Sequence, residues 1–333
     1  MASVEKVFGI GIVGSSPISR FVCERLSIAP NFRLVAFWDS NTDGRTGSTS
    51  YRPVESGDCR HGSTPFEVMR DPGVQVVFFA DGMTGDLMQM ALRMGKSIVV
   101  ESPYSLSREV LEQISRDGDE CQLVAAIFEP RRWDVDFLHA RSVVESGHLG
   151  RLLRARYSVH NDRLPGESFL RGIENELGSR ILDQLLVLVD ASRVTSVLWR
   201  SFPVEGGGSD GFLAVLEIPD AISVMIEIQT RSLLSVTSGW MLEGDAGAYR
   251  NGRLYTRTSD GEIVDAVLPI PSMSNDPFFE VLARSLSGED QKELPTVRDA
   301  TRVASLLANS TSGGIQTGTR DPEALSASNR ATA

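Results

Sequence analysis

The chain has 333 residues, 41% of them hydrophobic and 23% charged, the make-up of a soluble globular protein able to bury one large core or two modest ones. Its formal net charge of −11 argues against a nucleic-acid partner, since holding a phosphate backbone takes a basic face that releases counterions. Cys23, Cys59 and Cys121 show no paired spacing, no apolar run approaches the ~18 residues of a membrane span and no export leader opens the chain, so a reducing, cytoplasmic setting away from membranes is expected.

The first third alternates two patterns. Continuous β-branched and aromatic runs stand at Val7 to Val13, Leu34 to Trp38, Val74 to Ala80, Ser97 to Val100 and Gln122 to Phe128. Such runs read as strands buried on both faces. Between them, "PISRFVCERLSI", "TGDLMQMALRMG" and "SREVLEQISRDG" space apolar residues three and four apart, the period of helices that cover a sheet. The series is βαβ, and it predicts a parallel, doubly wound sheet over residues 1–128.

Beyond Arg131 the pattern changes. A helix in "RRWDVDFLHARSVVESGHLG" is expected to end on Gly147 or Gly150, and a second apolar helix lies in "IENELGSRILDQLLVLVDAS". From Thr195 to Leu268 apolar and polar residues alternate strictly. In "AISVMIEIQT", Ile222, Val224, Ile226 and Ile228 point one way and Ser223, Glu227 and Gln229 the other. "RNGR" and "SDGE" signal tight hairpins. The expectation for 129–312 is therefore an α+β domain with a large antiparallel sheet, closed by helices near Pro277 to Ser287 and Val297 to Ser310. The Ser/Thr/Gly-rich stretch 313–333 is expected to be disordered.

Four phrases carry a resemblance. "LVAFWDS" is similar to a second strand ending in an acid; "ALRMGKSIVVESP" to a strand leading into E-K-P; "RRWDVDFLHARSVVESGHLGRL" to the helix after a fifth strand; "ELGSRILDQLLVLVD" to a G-G-G-x-x-x-D-x-x-x-H-x-x-D segment. Together they resemble the glucose-fructose oxidoreductase and inositol dehydrogenase family, Gfo/Idh/MocA, from about Phe8 to Ser310. The resemblance implies a Rossmann-type domain followed by a substrate domain, NAD or NADP as cofactor, a sugar-like ligand, and a homo-oligomer, often paired through the open face of the second sheet. That sheet leaves one face to be covered or solvated, which also favours a homodimer or tetramer.

The positions implied to meet a dinucleotide are Gly14, Ser15, Ser16, Pro17, Ile18, Asp39, Ala80 and Glu101. Set against G-x-G-x-x-G, Gly14 keeps the first place, Ser16 takes the second and Ser19 the third. A serine at the second place brings a Cβ and a hydroxyl to where phosphate oxygens approach. Ser16 and Pro17 equally suit an N-cap and first helical residue, so the stretch reads either as a cap or as a weakened phosphate loop. Asp39, at the end of the second strand, can accept ribose hydroxyls and disfavours a 2′-phosphate, so NAD is favoured over NADP.

The implied proton carriers are absent. Serine replaces the lysine of E-K-P at Ser102, and Val187 stands where the resemblance implies histidine, four residues after Asp183. Neither moves a proton unaided near neutrality. Asp81, in place of a T-P-N segment, would repel a pyrophosphate. The candidates for a substitute acid or base are Asp183, His160 and Asp81. Arg171 could meet a substrate or anchor a loop; Arg131 and Arg132 are expected to start a helix and pair with local acids; His61, His139 and His148 are expected at the surface. Two readings follow. The chain is either a divergent homologue with a binding or assembly role and doubtful dehydrogenase activity, or an active NAD-dependent sugar or polyol oxidoreductase with a rebuilt acid/base. An enzyme of another reaction reusing the cleft is a third.

Overall fold

A computed structural model describes residues 6–14, 17–39, 59–80, 84–101, 106–160, 177–189, 194, 196–203, 209–218, 222–230, 232, 236–272, 276–289 and 292–308. Ser15, Ser16, Asp81, Ser102, Arg171 and the stretch 313–333 lie outside them. Two compact units divide the chain, Met1–His139 with Asn175–Leu186 and Pro269–Leu307, and Ala140–Glu174 with Val187–Leu268 and Ala308–Ala333.

In the first unit the apolar runs become β1 (Phe8–Val13), β2 (Phe32–Trp38), β4 (Val76–Phe79), β5 (Ser97–Val100) and β6 (Ala125–Ile127), joined by the two-residue β3 (Arg60–His61). All pair in parallel, in the order β3-β2-β1-β4-β5-β6. Every residue of β1, β4 and β5 is buried, which is why these segments lack a polar alternation. The helices are α1 (Pro17–Leu26), α2 (Pro65–Arg70), α3 (Gly85–Arg93) and α4 (Arg108–Cys121), followed by a 3-10 turn (Pro130–Trp133) and α5 (Val135–Glu145). Local chemistry fixes their ends. Thr64 accepts from the Glu67 amide ahead of Pro65, Ser107 accepts from Val110, and α4 stops where Gln122 turns left-handed at φ 55°.

The second unit holds an eight-stranded sheet in the order β14-β13-β12-β11-β7-β10-β9-β8. Its strands are β7 (Leu152–His160), β8 (Ser196–Pro203), β9 (Ser209–Ile218), β10 (Ile222–Gln229), β11 (Val236–Gly244), β12 (Gly247–Arg250), β13 (Arg253–Arg257) and β14 (Ile263–Val267). Val224, Ile226 and Ile228 are buried and Ser223 is exposed, as the alternation predicts. Asn251 and Gly252 both take positive φ, 50° and 73°, the two-residue turn that "RNGR" signals between β12 and β13. The sheet is mixed rather than wholly antiparallel, because β10 runs parallel to β7 while all other neighbours are antiparallel. Alternation reports which face a residue takes and is blind to strand direction.

α6 (Ser179–Leu188), α7 (Pro277–Leu286) and α8 (Val297–Ala308) complete the described elements. The expectation that the last two close the second domain is corrected. Phe278 and Phe279 of α7 pack into the core under the parallel sheet, with ring centroids 4.8 Å from Phe128 and 5.4 Å from Phe32 respectively. No described helix is long and apolar enough to cross a membrane.

Candidate functional site

Four of the positions singled out for a dinucleotide fall together at the carboxyl ends of the parallel strands. Gly14 follows β1, Asp39 follows β2, Ala80 follows β4 and Glu101 follows β5. Backbone bonds knit these ends side by side. Gly14 N–H donates to Trp38 O at 3.0 Å, Ala80 N–H to Val13 O at 2.9 Å, and Glu101 N–H to Phe79 O at 2.9 Å. Strand order reverses between β1 and β4, and ligands of open α/β sheets lie at such a switch point. α1 begins at Pro17, three residues after Gly14. Asp39 is 2% exposed, and Ile18 is half-buried against the core cluster. Ser19, in the third fingerprint place, is buried.

A literal G-x-G-x-x-G spacing exists one register earlier, at Gly9, Gly11 and Gly14, and the structure explains it by packing. Gly9 and Gly11 lie inside β1, where a Cβ would come 1.9 Å from Gly73 O and 2.5 Å from a Val68 methyl. Gly14 combines φ +107° with a Cβ position 2.2 Å from Ala80 O. Its glycine is thus required by the strand-to-helix turn whether or not a phosphate binds. Gly14→Ala is expected to lower the unfolding free energy by about 2–3 kcal/mol, read from the urea midpoint; a change within error would show that the turn relaxes.

Asp183 sits on α6, 1% exposed, with both carboxylate oxygens engaged. Arg132, from the 3-10 turn, donates Nε to Oδ2 and Nη2 to Oδ1, each at 2.7 Å. The same Nη2 reaches Asp299 Oδ2 at 3.2 Å, and Asp299 also accepts from the Thr296 amide at the start of α8. Burial works against the Arg132 charge, but the two carboxylates outweigh it and raise its pKa further above the ordinary arginine range. Around the pair, Gln184 Nε2 donates to Arg131 O at 2.6 Å, and Arg180 lies 3.5 Å from the buried Glu129. Arg132 therefore departs from the local pairing expected of it: its acids lie 51 and 167 residues away. Arg131 keeps a local acid, Asp134, at 3.8 Å. One turn beyond Asp183, Val187 is half-buried.

His160 ends β7 in the second unit. Its Nε2 lies 3.5 Å from Glu227 Oε2 on β10, and that oxygen accepts from Arg156 Nη2 at 3.1 Å. His139 is buried, not at the surface as its isolation in sequence suggests, with Nε2 2.8 Å from Pro269 O. His61 and His148 are exposed as expected. Among the described residues no group of three or more His, Cys, Asp or Glu could hold a metal ion.

No protein-family model matches the chain. The curated scyllo-inositol 2-dehydrogenase (NADP(+)) IolW of Bacillus subtilis is 29% identical over 133 residues, 37% of each chain. Inositol 2-dehydrogenase 2 of Saccharopolyspora erythraea is 26% identical over 236 residues, 67% of this chain and 65% of that one. The chain thus aligns with less than two thirds of the length of either relative. A crystal structure of an NAD-binding protein from Listeria innocua superposes with a TM-score of 0.79 at 21% identity, over 92% of this chain and 97% of that one. These likenesses support the assignment to the Gfo/Idh/MocA family that the sequence suggests. The chain has the parallel sheet with its switch point and the large second sheet.

Proposed function

We propose that this Gfo/Idh/MocA member retains the family's two-part body for binding and does not run a nicotinamide-linked dehydrogenation. The observation that carries the reading is the engagement of Asp183. A general base must come within hydrogen-bond reach of the substrate hydroxyl, and Asp183 is 1% exposed, with Arg132 donating to each of its oxygens at 2.7 Å. Val187 and Ser102 add no proton carrier at the two positions the family uses. Glu227 lies near His160 and is shared with Arg156, so that histidine stands within a charged cluster of its own sheet.

The carboxyl edge of the parallel sheet suits a weakly held NAD. The N-terminal amides of α1 offer a partial positive charge to a pyrophosphate. Asp39 follows β2, and a carboxylate at that strand end supports the preference for NAD, since it would accept ribose hydroxyls and repel a 2′-phosphate. Gly14 N–H, already given to Trp38 O, is not available to a phosphate. When bound, a nicotinamide would supply a hydride acceptor. The negative charge of Asp81 opposes that binding. The inositol dehydrogenase names of the relatives favour a second reading, an active NAD-dependent oxidoreductase of a sugar or polyol with a substitute base.

Calorimetric titration separates the two. NADH is expected to bind with a Kd of about 1 mM or weaker, near −4 kcal/mol, and NADPH more weakly still because of Asp39. A micromolar Kd for NADH would contradict the binding-only reading.

A further inference from the structure

The edge strand β14 of the eight-stranded sheet contains no lysine, proline or bulge. An edge strand exposes a row of backbone N–H and C=O groups, and proteins blunt such rows with lysine, proline or a bulge. β14 reads Ile-Val-Asp-Ala-Val and pairs with β13 in unbroken register. All five residues are exposed, Ile263 to 67%, Val264 to 45% and Val267 to 68%. The strand's single charge, Asp265, is bound by Arg253 of β13.

The ladder shows which groups face outward. Leu268 N–H donates to Gly252 O and Thr258 N–H to Glu262 O. In an antiparallel pair the bonding direction alternates, so Val264 and Ala266 turn towards β13 while Ile263, Asp265 and Val267 turn their N–H and C=O groups outward. Among the described residues, these three alternate positions have no backbone partner, on a strand with exposed apolar side chains on both faces.

We propose that β14 pairs with β14 of a second copy of this chain, antiparallel about a two-fold axis through Asp265, joining the two sheets edge to edge. In that register each Asp265 exchanges both backbone bonds with its counterpart. Ile263 lies opposite Val267 of the second copy on one face, and Val264 opposite Ala266 on the other, each pair occurring twice. Moving the axis to Val264 or Ala266 sets Asp265 against Ile263 or Val267 and leaves the other of these two without an opposite residue in the strand. The centred register places two carboxylates side by side, which costs stability, and the Arg253 already bound to each one offsets that cost. This reciprocity selects a second copy over a foreign peptide, because an isologous contact satisfies the same patch on both sides. The interface is a sheet edge, distinct from the open-face pairing that the family resemblance implies, and it does not depend on the functional reading above.

Sedimentation equilibrium of the full chain tests it. At micromolar concentration the wild type is expected to have twice the assembly mass of I263K/V267K, whose far-UV circular dichroism is unchanged. In a Cys121→Ser background, D265C is expected to cross-link two copies under glutathione disulfide at least roughly tenfold faster than E262C, because only the former holds its thiols at high effective concentration. A monomeric wild type, an I263K/V267K variant with the same assembly mass as the wild type, or equal cross-linking by the two cysteine variants would each overturn the proposal.

Discussion

Replacing Arg132 with Met is expected to lower the unfolding free energy by about 3–5 kcal/mol. The substitution strands Asp183, a carboxylate at 1% exposure that loses both of its 2.7 Å bonds at once. Asp299, more exposed and still bonded to Thr296, loses less. The direction of the pH dependence follows from the same geometry. Burial pushes the Asp183 carboxyl up and Arg132 holds it down, so without Arg132 the folded-state pKa lies above the unfolded one. A carboxyl raised in this way is tolerated below its unfolded pKa and penalised as pH rises through the folded value. The deficit of R132M should therefore be larger at pH 8 than at pH 5. Pairing the change with Asp183→Leu should recover most of the loss, since apolar residues of similar volume often replace a buried ion pair at little cost. Urea unfolding at the two pH values reads all three outcomes. A single-variant loss under about 1 kcal/mol would show that Asp183 finds water or another donor.

The parts of the fold carried by period and turn chemistry were legible from residues alone. Fully buried strands such as Phe8–Val13 announce themselves as unbroken apolar runs, and Asn251-Gly252 encodes its own backbone angles. What depends on long-range partners was not. Nothing local in "EPRRWD" distinguishes Arg131, held near Asp134, from Arg132, whose carboxylates arrive from α6 and α8. His139 looks isolated because its partner is a backbone carbonyl 130 residues away, and carbonyls leave no mark in a sequence. The phenylalanines of α7 give the period of an amphipathic helix without saying which sheet they cover. Asp183 was the exception. A carboxylate among Ile, Leu and Val needs a partner, so its burial with a counter-charge was foreseeable although the identity of that charge was not.

The larger kinetic expectation concerns turnover. A hydride leaves a secondary alcohol only as its hydroxyl proton is taken up, and a positioned base contributes ~10²–10⁴-fold, about 3–5 kcal/mol of barrier. With Ser102 and Val187 at the positions where the family resemblance implies the proton carriers, that contribution has to come from another group, and Asp183 is buried and already bonded through both oxygens to Arg132. Restoring the pair as S102K/V187H is not expected to generate activity. Ser16 and Asp81, at positions that the family resemblance implies for the pyrophosphate, are left unchanged in that variant.

The direct measurement is absorbance at 340 nm for the wild-type chain with NAD or NADP across a panel of polyols and aldoses, run beside Asp183→Asn. The account predicts no oxidation above the enzyme-free rate for either protein. Clear turnover by the wild type that Asp183→Asn abolishes would contradict it, and would show that the reaction had been rebuilt around that carboxylate.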